Sequence, residues 1–143
     1  SKLGLEPWDA NLTLEYLKEK LNKKKAIKTL LLDQGIITGI GNIYADEILF
    51  LSKINPETNG HNLTNKNLID IIENTKKVLE QAIASGGTTI HSYTAVDGIT
   101  GRFQQELLVH GKKLEPCPIC KTKISKIVVN GRGTYYCPKC QKM

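Results

Sequence analysis

The sequence lacks any long hydrophobic run, and no apolar stretch approaches the roughly 18–20 residues that a membrane-spanning helix requires. Residues 1–22 alternate charged and apolar side chains, without the continuous apolar stretch of a secretory signal peptide. Apolar residues still make up 40% of the 143 residues, which is too many for an intrinsically disordered chain. We therefore expect a folded, soluble, intracellular protein of one domain, or of one domain with a small appendage.

Acidic residues are scarce, with 14 Asp and Glu against 20 Lys and Arg, for a net charge of +6. From His110 to Met143 there are eight basic residues and one acidic residue. A second basic cluster, relieved only by Glu19, consists of Lys18, Lys20, Lys23, Lys24, Lys25 and Lys28. Two separate basic patches favour a polyanionic partner, although solvated surface lysines would give the same pattern.

Cysteine is absent from the first 116 residues, and all four cysteines fall in the last 27. They form two C-x-x-C pairs, Cys117 with Cys120 and Cys137 with Cys140, separated by sixteen residues. This spacing predicts one structural Zn²⁺ held by four thiolates, with no open coordination position for chemistry. Two disulfides or a redox pair are the alternatives, and the absence of a secretion signal disfavours disulfides.

The sixteen residues between the cysteine pairs are rich in β-formers, which predicts a hairpin that brings the pairs together. We place its tip at Gly131-Arg132-Gly133 and expect residues 107–109 to form a strand leading into the cysteines. An arginine between two glycines can fork onto a phosphate or enter a narrow groove. A solvated turn arginine is the alternative.

Four helices are predicted before the cysteines. Thr13 is the expected N-cap of the first, which ends near Asn22. Thr64 is the expected N-cap of the fourth, whose apolar residues recur at helical spacing until Gly86-Gly87. We expect residues 88–105, which contain two glycines, to form a mobile loop.

The second helix is predicted over residues 25–33, with Gly35 as a left-handed C-cap. Two successive turns should follow through Gly41, and a third helix should start near Asn42 and stop before Pro56. Glycines at a helix start expose amide hydrogens that can bind an anion, so Asn42 should either cap the helix or donate to a phosphate, and Lys28 could converge there. A purely structural turn would explain the glycines equally well.

Three motifs occur together in a specific order. They are GIGNIYA at 39–45, GGTT at 86–89, and the four-cysteine segment containing GRGT at 131–134 and ending CPKCQ at 137–141. Over essentially the whole chain this arrangement resembles bacterial formamidopyrimidine-DNA glycosylase. The resemblance implies a mainly α fold, with a helix–two-turns–helix module followed by a small β-hairpin zinc finger. It also implies a bacterial cytoplasmic protein.

The resemblance also implies roles for individual residues. Asn42 corresponds to a phosphate-binding asparagine, Lys28 to a lysine near the lesion phosphates, and Arg132 to the DNA-contacting arginine of the finger. Residues 88–105 correspond to the loop that covers an everted 8-oxoguanine, with Thr88, Thr89 and Tyr93 as candidate contacts.

Two departures from the family pattern stand out. The family's nucleophile is the amine of an N-terminal proline, followed by a glutamate, on an N-terminal domain that we expect to be missing here. No catalytic residue is therefore predicted in this chain. His91 also stands where relatives usually carry Arg or Lys, and a neutral imidazole would weaken a phosphate contact there.

These observations predict a monomeric, damaged-DNA-binding part of a bifunctional glycosylase/abasic-site lyase that removes oxidised purines. The domains would be a linker remnant at 1–10, the helical module at 11–108 and the finger at 109–143. The partners would be lesion-containing or abasic duplex DNA and the N-terminal catalytic domain. One alternative is an endonuclease VIII-like enzyme for oxidised pyrimidines, which the long segment 88–105 disfavours. The other is a zinc-ribbon module that binds a protein.

Overall fold

The computed structural model describes residues 3–84 and 106–143 of the chain. The helices are α1 (Leu14–Lys20), α2 (Ile27–Leu31), α3 (Asn42–Leu51), a short 3-10 helix (Gly60–Asn62) and α4 (Asn65–Ala84). The strands β1 (Ser125–Val129) and β2 (Arg132–Tyr136) form a two-stranded antiparallel sheet. The fold is therefore mainly α with a small β-hairpin near the cysteines, as predicted.

One apolar cluster joins the four α-helices. It includes Leu17 of α1, Leu30 of α2, Ile48 of α3 and Ile71 of α4, each at most 2% exposed. The predicted cap of α4 is present, because the hydroxyl of Thr64 accepts the Asn67 amide hydrogen at 3.1 Å. The described part of the chain contains no helix that is both long and apolar enough to cross a membrane.

The predicted cap of α1 is also confirmed, since Thr13 accepts a hydrogen bond from the amide of Tyr16. The prediction for Gly35 is wrong, because the left-handed glycine of this region is Gly39, with φ +87°. The side chain of Asp33 accepts the Gly35 amide at 2.8 Å, so a polar side chain closes this turn and no left-handed residue is needed there.

Two successive turns do lie between α2 and α3. The segment expected to be a linker runs along them: Leu5 pairs with Ile37 in a parallel bridge, and its carbonyl accepts the amide of Thr38. The α3 helix then starts at Asn42, as predicted.

The hairpin turn falls one residue earlier than predicted. Asn130 and Gly131 have φ of 48° and 78°, and the next residue, Arg132, is already paired with Val129. Two successive residues with positive φ match the type I′ turn that an Asn-Gly pair favours. Arg132 therefore begins β2 and does not form the tip.

The strand predicted over residues 107–109 is absent from the described structure, which has irregular, bent backbone there. The amides of Leu108, Val109 and His110 instead donate to the two carboxylate oxygens of Glu47, at 2.7, 3.0 and 2.9 Å. A single side chain satisfies the backbone donors that a strand neighbour would otherwise take.

A second, much smaller apolar cluster holds the cysteine segment together. Its buried members are Phe50, Val109, Cys117, Ile124 and Cys137. Phe50 belongs to α3, so the helical module contributes the largest side chain of the finger core. The predicted end of α4 at Gly86-Gly87 and the predicted loop 88–105 lie outside the described residues.

Candidate nucleic-acid interface and metal centre

The four cysteines converge, with all four Sγ atoms within 4.8 Å of one another. The shorter separations are 3.4 Å for Cys120–Cys137, 3.6 Å for Cys140–Cys120 and 3.8 Å for Cys117–Cys140. A tetrahedral zinc site with Zn–S bonds of about 2.3 Å places its sulfurs about 3.8 Å apart. The thiols are free of disulfides, so the geometry fits one structural Zn²⁺ with four protein ligands.

The surroundings of the sulfurs also favour thiolates, the form that binds zinc. Backbone amides of Ile119 and Cys140 point at the sulfurs of Cys117 and Cys137, at 3.4 and 3.3 Å. Burial raises the pKa of the Cys140 thiol to about 12, whereas hydrogen bonds from Thr122 lower the pKa of the Cys120 thiol to about 6. Zinc supplies the positive charge that lets all four ionise together, and with no open position it holds shape only.

The second cysteine knuckle is bonded to the segment after α3. The buried Gln141 donates through Nε2 to the Ile54 carbonyl at 2.9 Å and accepts the Cys137 amide at 2.8 Å. The side-chain Nδ2 of Asn55 donates to the Gln141 carbonyl at 3.0 Å. Together with Glu47, these groups tie both ends of the finger to the helical module.

Two predicted site residues meet at one backbone atom of the finger. Lys28 Nζ and Asn42 Nδ2 both donate to the Gly133 carbonyl, at 3.0 and 3.1 Å. Gly133 directly follows Arg132, so Lys28, Asn42 and Arg132 lie close together although they come from separate parts of the chain. The alternative that Asn42 caps α3 is wrong, because Gly41 is the N-cap and makes no side-chain cap bond.

Lys28 is fully buried, contrary to the ordinary behaviour of lysine. Its ammonium lies 2.7 Å from Oδ1 of Asp46, whose side chain is also 0% exposed. Burial lowers the pKa of the Lys28 ammonium, the Asp46 carboxylate opposes that shift, and the nearby charge of Arg132 adds to it. A buried ammonium loses its hydration, and it needs close partner groups such as Asp46 to offset that cost.

Arg132 is exposed at the start of β2. The nearby turn is open: a Cβ atom placed on Gly39 or Gly41 would meet nothing within 4 Å. The first amides of α3 thus lie behind uncrowded glycines, and the first turn of a helix carries donors without intrahelical partners.

The sequence-based reasoning overlooked Asp46 and Glu47, two adjacent carboxylates within an otherwise apolar helix. That position was the available signal, since charges surrounded by apolar side chains must be buried with partners. Apart from Lys28, which pairs with Asp46, their partners are His110 and the amides of 108–110, which lie more than 60 residues away and carry no local signal. The candidates Thr88, Thr89 and Tyr93, with His91, lie outside the described residues.

Comparison with known families adds two matches. Residues 3–94 match the formamidopyrimidine-DNA glycosylase H2TH domain, and residues 115–142 match the zinc finger found in FPG and IleRS. The formamidopyrimidine-DNA glycosylase of Ureaplasma parvum is 55% identical over 141 residues, which cover 98% of this chain and 51% of that protein. That of Bacillus cereus is 50% identical over 140 residues, or 97% and 51%.

Solved structures show the same likeness. One is a complex between Lactococcus lactis Fpg and DNA containing an abasic site, with TM-score 0.87 and 41% identity over 99% of this chain and 52% of that one. Another is MutM (FPG) from Thermus thermophilus, with TM-score 0.84 and 35% identity over 97% and 53%. The chain spans about half the length of the relatives it matches. With its H2TH module and its four-cysteine finger, it belongs to the formamidopyrimidine-DNA glycosylase family.

Proposed function

We propose that this chain is the damaged-DNA-binding half of a base-excision DNA glycosylase/abasic-site lyase that acts on oxidised purines. The observation that carries the proposal is the convergence of Lys28, Asn42 and Arg132 on one short stretch of backbone at Gly133. Two elements that are far apart in sequence thereby present donors side by side. Everting a base requires a firm hold on the phosphates around the kink, and this arrangement suits that task.

We propose which donor groups of the protein contact the phosphates. Arg132 is exposed and presents a planar fork of donors that matches a phosphate. Asn42 uses one Nδ2 hydrogen for the Gly133 carbonyl, and its second hydrogen is available to the same or a neighbouring phosphate. The first amides of α3, behind Gly39 and Gly41, add neutral donors and the positive end of the helix dipole.

Lys28 contributes to this site differently. Because its side chain is 0% exposed and its charge is paired with that of Asp46, we propose that it supports the site without touching a phosphate. Thr88, Thr89 and Tyr93 remain proposed lesion-loop contacts, on the strength of the sequence motif alone. Their test is substitution in an enzyme that carries out the reaction.

We propose that the nucleophilic proline and its glutamate lie in the half of the relatives that the chain does not match, and that the chain alone binds DNA without cleaving it. In the full reaction the proline amine would attack C1′ of the sugar and displace the damaged base, which forms a Schiff base, and elimination would then nick the strand. Such a protein would act as a monomer in the bacterial cytoplasm, where the chromosome lies.

The relatives named above are formamidopyrimidine-DNA glycosylases, which supports oxidised purines over the pyrimidines of an endonuclease VIII-like enzyme. A protein-binding zinc ribbon would leave the convergence of donors around Gly133 without a purpose. Both alternatives predict a different pattern of binding in a direct assay.

Fluorescence anisotropy tests the proposal with two labelled duplexes, one undamaged and one carrying an abasic-site analogue. We expect binding that weakens steeply with salt, since each neutralised phosphate contributes about −0.9 to the slope of log K against log salt. Arg132→Ala should weaken binding about tenfold. Absence of binding at low salt by the zinc-loaded chain would reject DNA binding, and nicking by the chain alone would reject its catalytic inertness.

A further inference from the structure

We propose that Lys28 and Asp46 are positioning residues: the buried pair sets the place of Arg132 relative to Asn42 and does not itself contact DNA. This inference rests on the proposed function, in which Arg132 and Asn42 bind phosphate. It assigns to Asp46 a role that no sequence motif indicated. It also separates Lys28 from the residues that touch the ligand.

The hydrogen bonds of Lys28 support this role. Its ammonium donates hydrogen bonds to Thr134 Oγ1 at 2.8 Å and to the Gly133 carbonyl at 3.0 Å, and it forms an ion pair with Asp46 Oδ1 at 2.7 Å. These three contacts surround the ammonium with protein atoms. With no exposed surface, Lys28 has no access to a phosphate.

A direct route connects Lys28 to Arg132. Thr134 Oγ1 accepts from Lys28 and donates its own hydrogen to the Arg132 carbonyl at 2.9 Å. The hydroxyl of Thr134 is buried, so this relay has no competition from solvent. The ammonium of Lys28 therefore fixes the backbone of Arg132 through one intervening hydroxyl.

Asp46 fixes the next part of the same strand. Its Oδ2 accepts the Tyr135 amide at 3.2 Å and lies 2.7 Å from Nδ1 of His110. Lys28 and Asn42 hold Gly133, Lys28 holds Thr134, and Asp46 holds Tyr135. The three residues that follow Arg132 are thus hydrogen-bonded to side chains of α2 and α3. Asn42 also belongs to α3.

A buried ion pair is a poor device for stability alone, because desolvation offsets much of the Coulomb attraction. An apolar pair of the same volume could not supply the directional hydrogen bonds that Lys28 and Asp46 make. The pair is also neutral overall, so it fixes the finger without adding an unpaired charge beneath the proposed phosphate site. These properties suit a positioning role better than either stabilisation or charge.

A double-mutant cycle tests the inference. Lys28→Met with Asp46→Asn replaces the pair by neutral side chains of similar length, and leaves no buried charge uncompensated. Binding to the abasic-analogue duplex is measured for the wild type, this variant, Arg132→Ala and the three substitutions together. Zinc content and thermal melting are recorded for each variant to confirm that it is folded.

We expect the neutral pair to weaken binding about tenfold in the wild-type background, and less than about twofold when Arg132 is already alanine. Lys25→Met is the matched control: it removes one exposed lysine charge and should cost the same factor in both backgrounds. An equal loss in both backgrounds for the neutral pair would show a direct DNA contact. No loss in either would show a purely structural pair, and both results overturn the inference.

A second variant and a measurement without DNA complete the test. Thr134→Val keeps the side-chain shape and removes the relay, so it should reproduce part of the loss of binding. It serves in place of the neutral pair if that variant fails to fold.

Amide hydrogen exchange should become faster across Arg132–Tyr136 in these variants and stay unchanged in α4. If the wild type binds no DNA, the proposed function fails, but exchange still decides whether the pair holds the strand. Unchanged exchange would overturn the inference.

Discussion

The helical module and the finger are held together by different kinds of interaction. The module has an apolar cluster with members from all four α-helices, whereas the finger has five buried members, of which two are metal ligands and Phe50 is borrowed from α3. The finger compensates with zinc and with polar bonds at Glu47, Asp46 and Gln141. A small unit can thus be placed accurately without a core of its own, provided that a larger neighbour supplies the anchoring groups.

Removing zinc should have the largest effect and should separate the two regions. Zinc binding contributes on the order of 10–16 kcal/mol in zinc-finger peptides, and the finger has little else to hold it. We expect a chelator to abolish the amide signals of β1 and β2, while most of the helical circular dichroism remains. Simultaneous loss of the helical signal would show that the module depends on the finger.

The same experiment has a pH dependence. Burial raises the pKa of the Cys140 and Cys137 thiols, and zinc binds thiolates. Zinc loading in a weak buffer should therefore release protons, and zinc affinity should fall as the pH falls.

Phe50→Ala should have the next largest effect, about 3–5 kcal/mol from the cavity it leaves. Because Phe50 packs in the finger cluster, the loss should appear as weaker zinc retention in a competition with a chromogenic chelator. Leu49→Ala is the matched control, because Leu49 lies next to Phe50 in the sequence and is equally buried but belongs to the module cluster. It should lower the unfolding free energy of the module and leave zinc retention near normal. Equal losses of zinc retention in the two variants would show that the two clusters are not independent.

Glu47→Gln should cost about 1–3 kcal/mol, because an amide cannot accept all three backbone hydrogens that the carboxylate accepts. Urea denaturation measures the change, and Glu73→Gln on the exposed face of α4 is the control.

The pH dependence of this difference has a definite sign. Burial raises the pKa of Glu47, and the amides of His110, Leu108 and Val109 oppose the shift. Between its ordinary and its raised pKa, the folded chain holds a proton that the unfolded chain has lost. The contribution of Glu47 to stability should therefore decrease as the pH rises through that interval and then stay level. A difference in unfolding free energy between the wild type and Glu47→Gln that grows with pH in that interval would contradict this sign.

Gly131→Ala should have the smallest effect, about 1–2 kcal/mol, because an alanine at φ +78° is strained. Gly133→Ala is the matched control in the same hairpin. Its new Cβ would meet only the flexible end of Lys126, at 3.2 Å, and Gly133 has no positive φ. Thermal melts of the zinc-loaded proteins compare the two, and an equal loss at both positions would argue against the Asn-Gly turn.

The sequence predicted those parts of the structure that depend on short spacings. The two C-x-x-C pairs define the metal site because each pair is local, and the apolar stripe of α4 is a local periodicity. The Asn130-Gly131 pair is an equally local signal, and it places the turn one residue before the tip that the glycines around Arg132 indicated.

Contacts over long separations could not be predicted. Lys28 is bonded to residues about 105 positions away, and nothing near it in sequence distinguishes it from the exposed lysines before it. For the same reason the proposed DNA contacts of Asn42 and Arg132 remain predictions, and only the proximity of these two residues to each other and to Lys28 is established.

The attachment of Glu47 bears on how the protein is synthesised. All three of its backbone donors follow α4 in the sequence, so the ribosome produces the carboxylate long before its partners. A nascent helical module therefore exposes a negative group on the surface that the finger will cover. Metal loading and docking of the finger follow the synthesis of the module, and a chain that has not acquired zinc leaves the Glu47 carboxylate uncovered where the finished protein carries its basic finger.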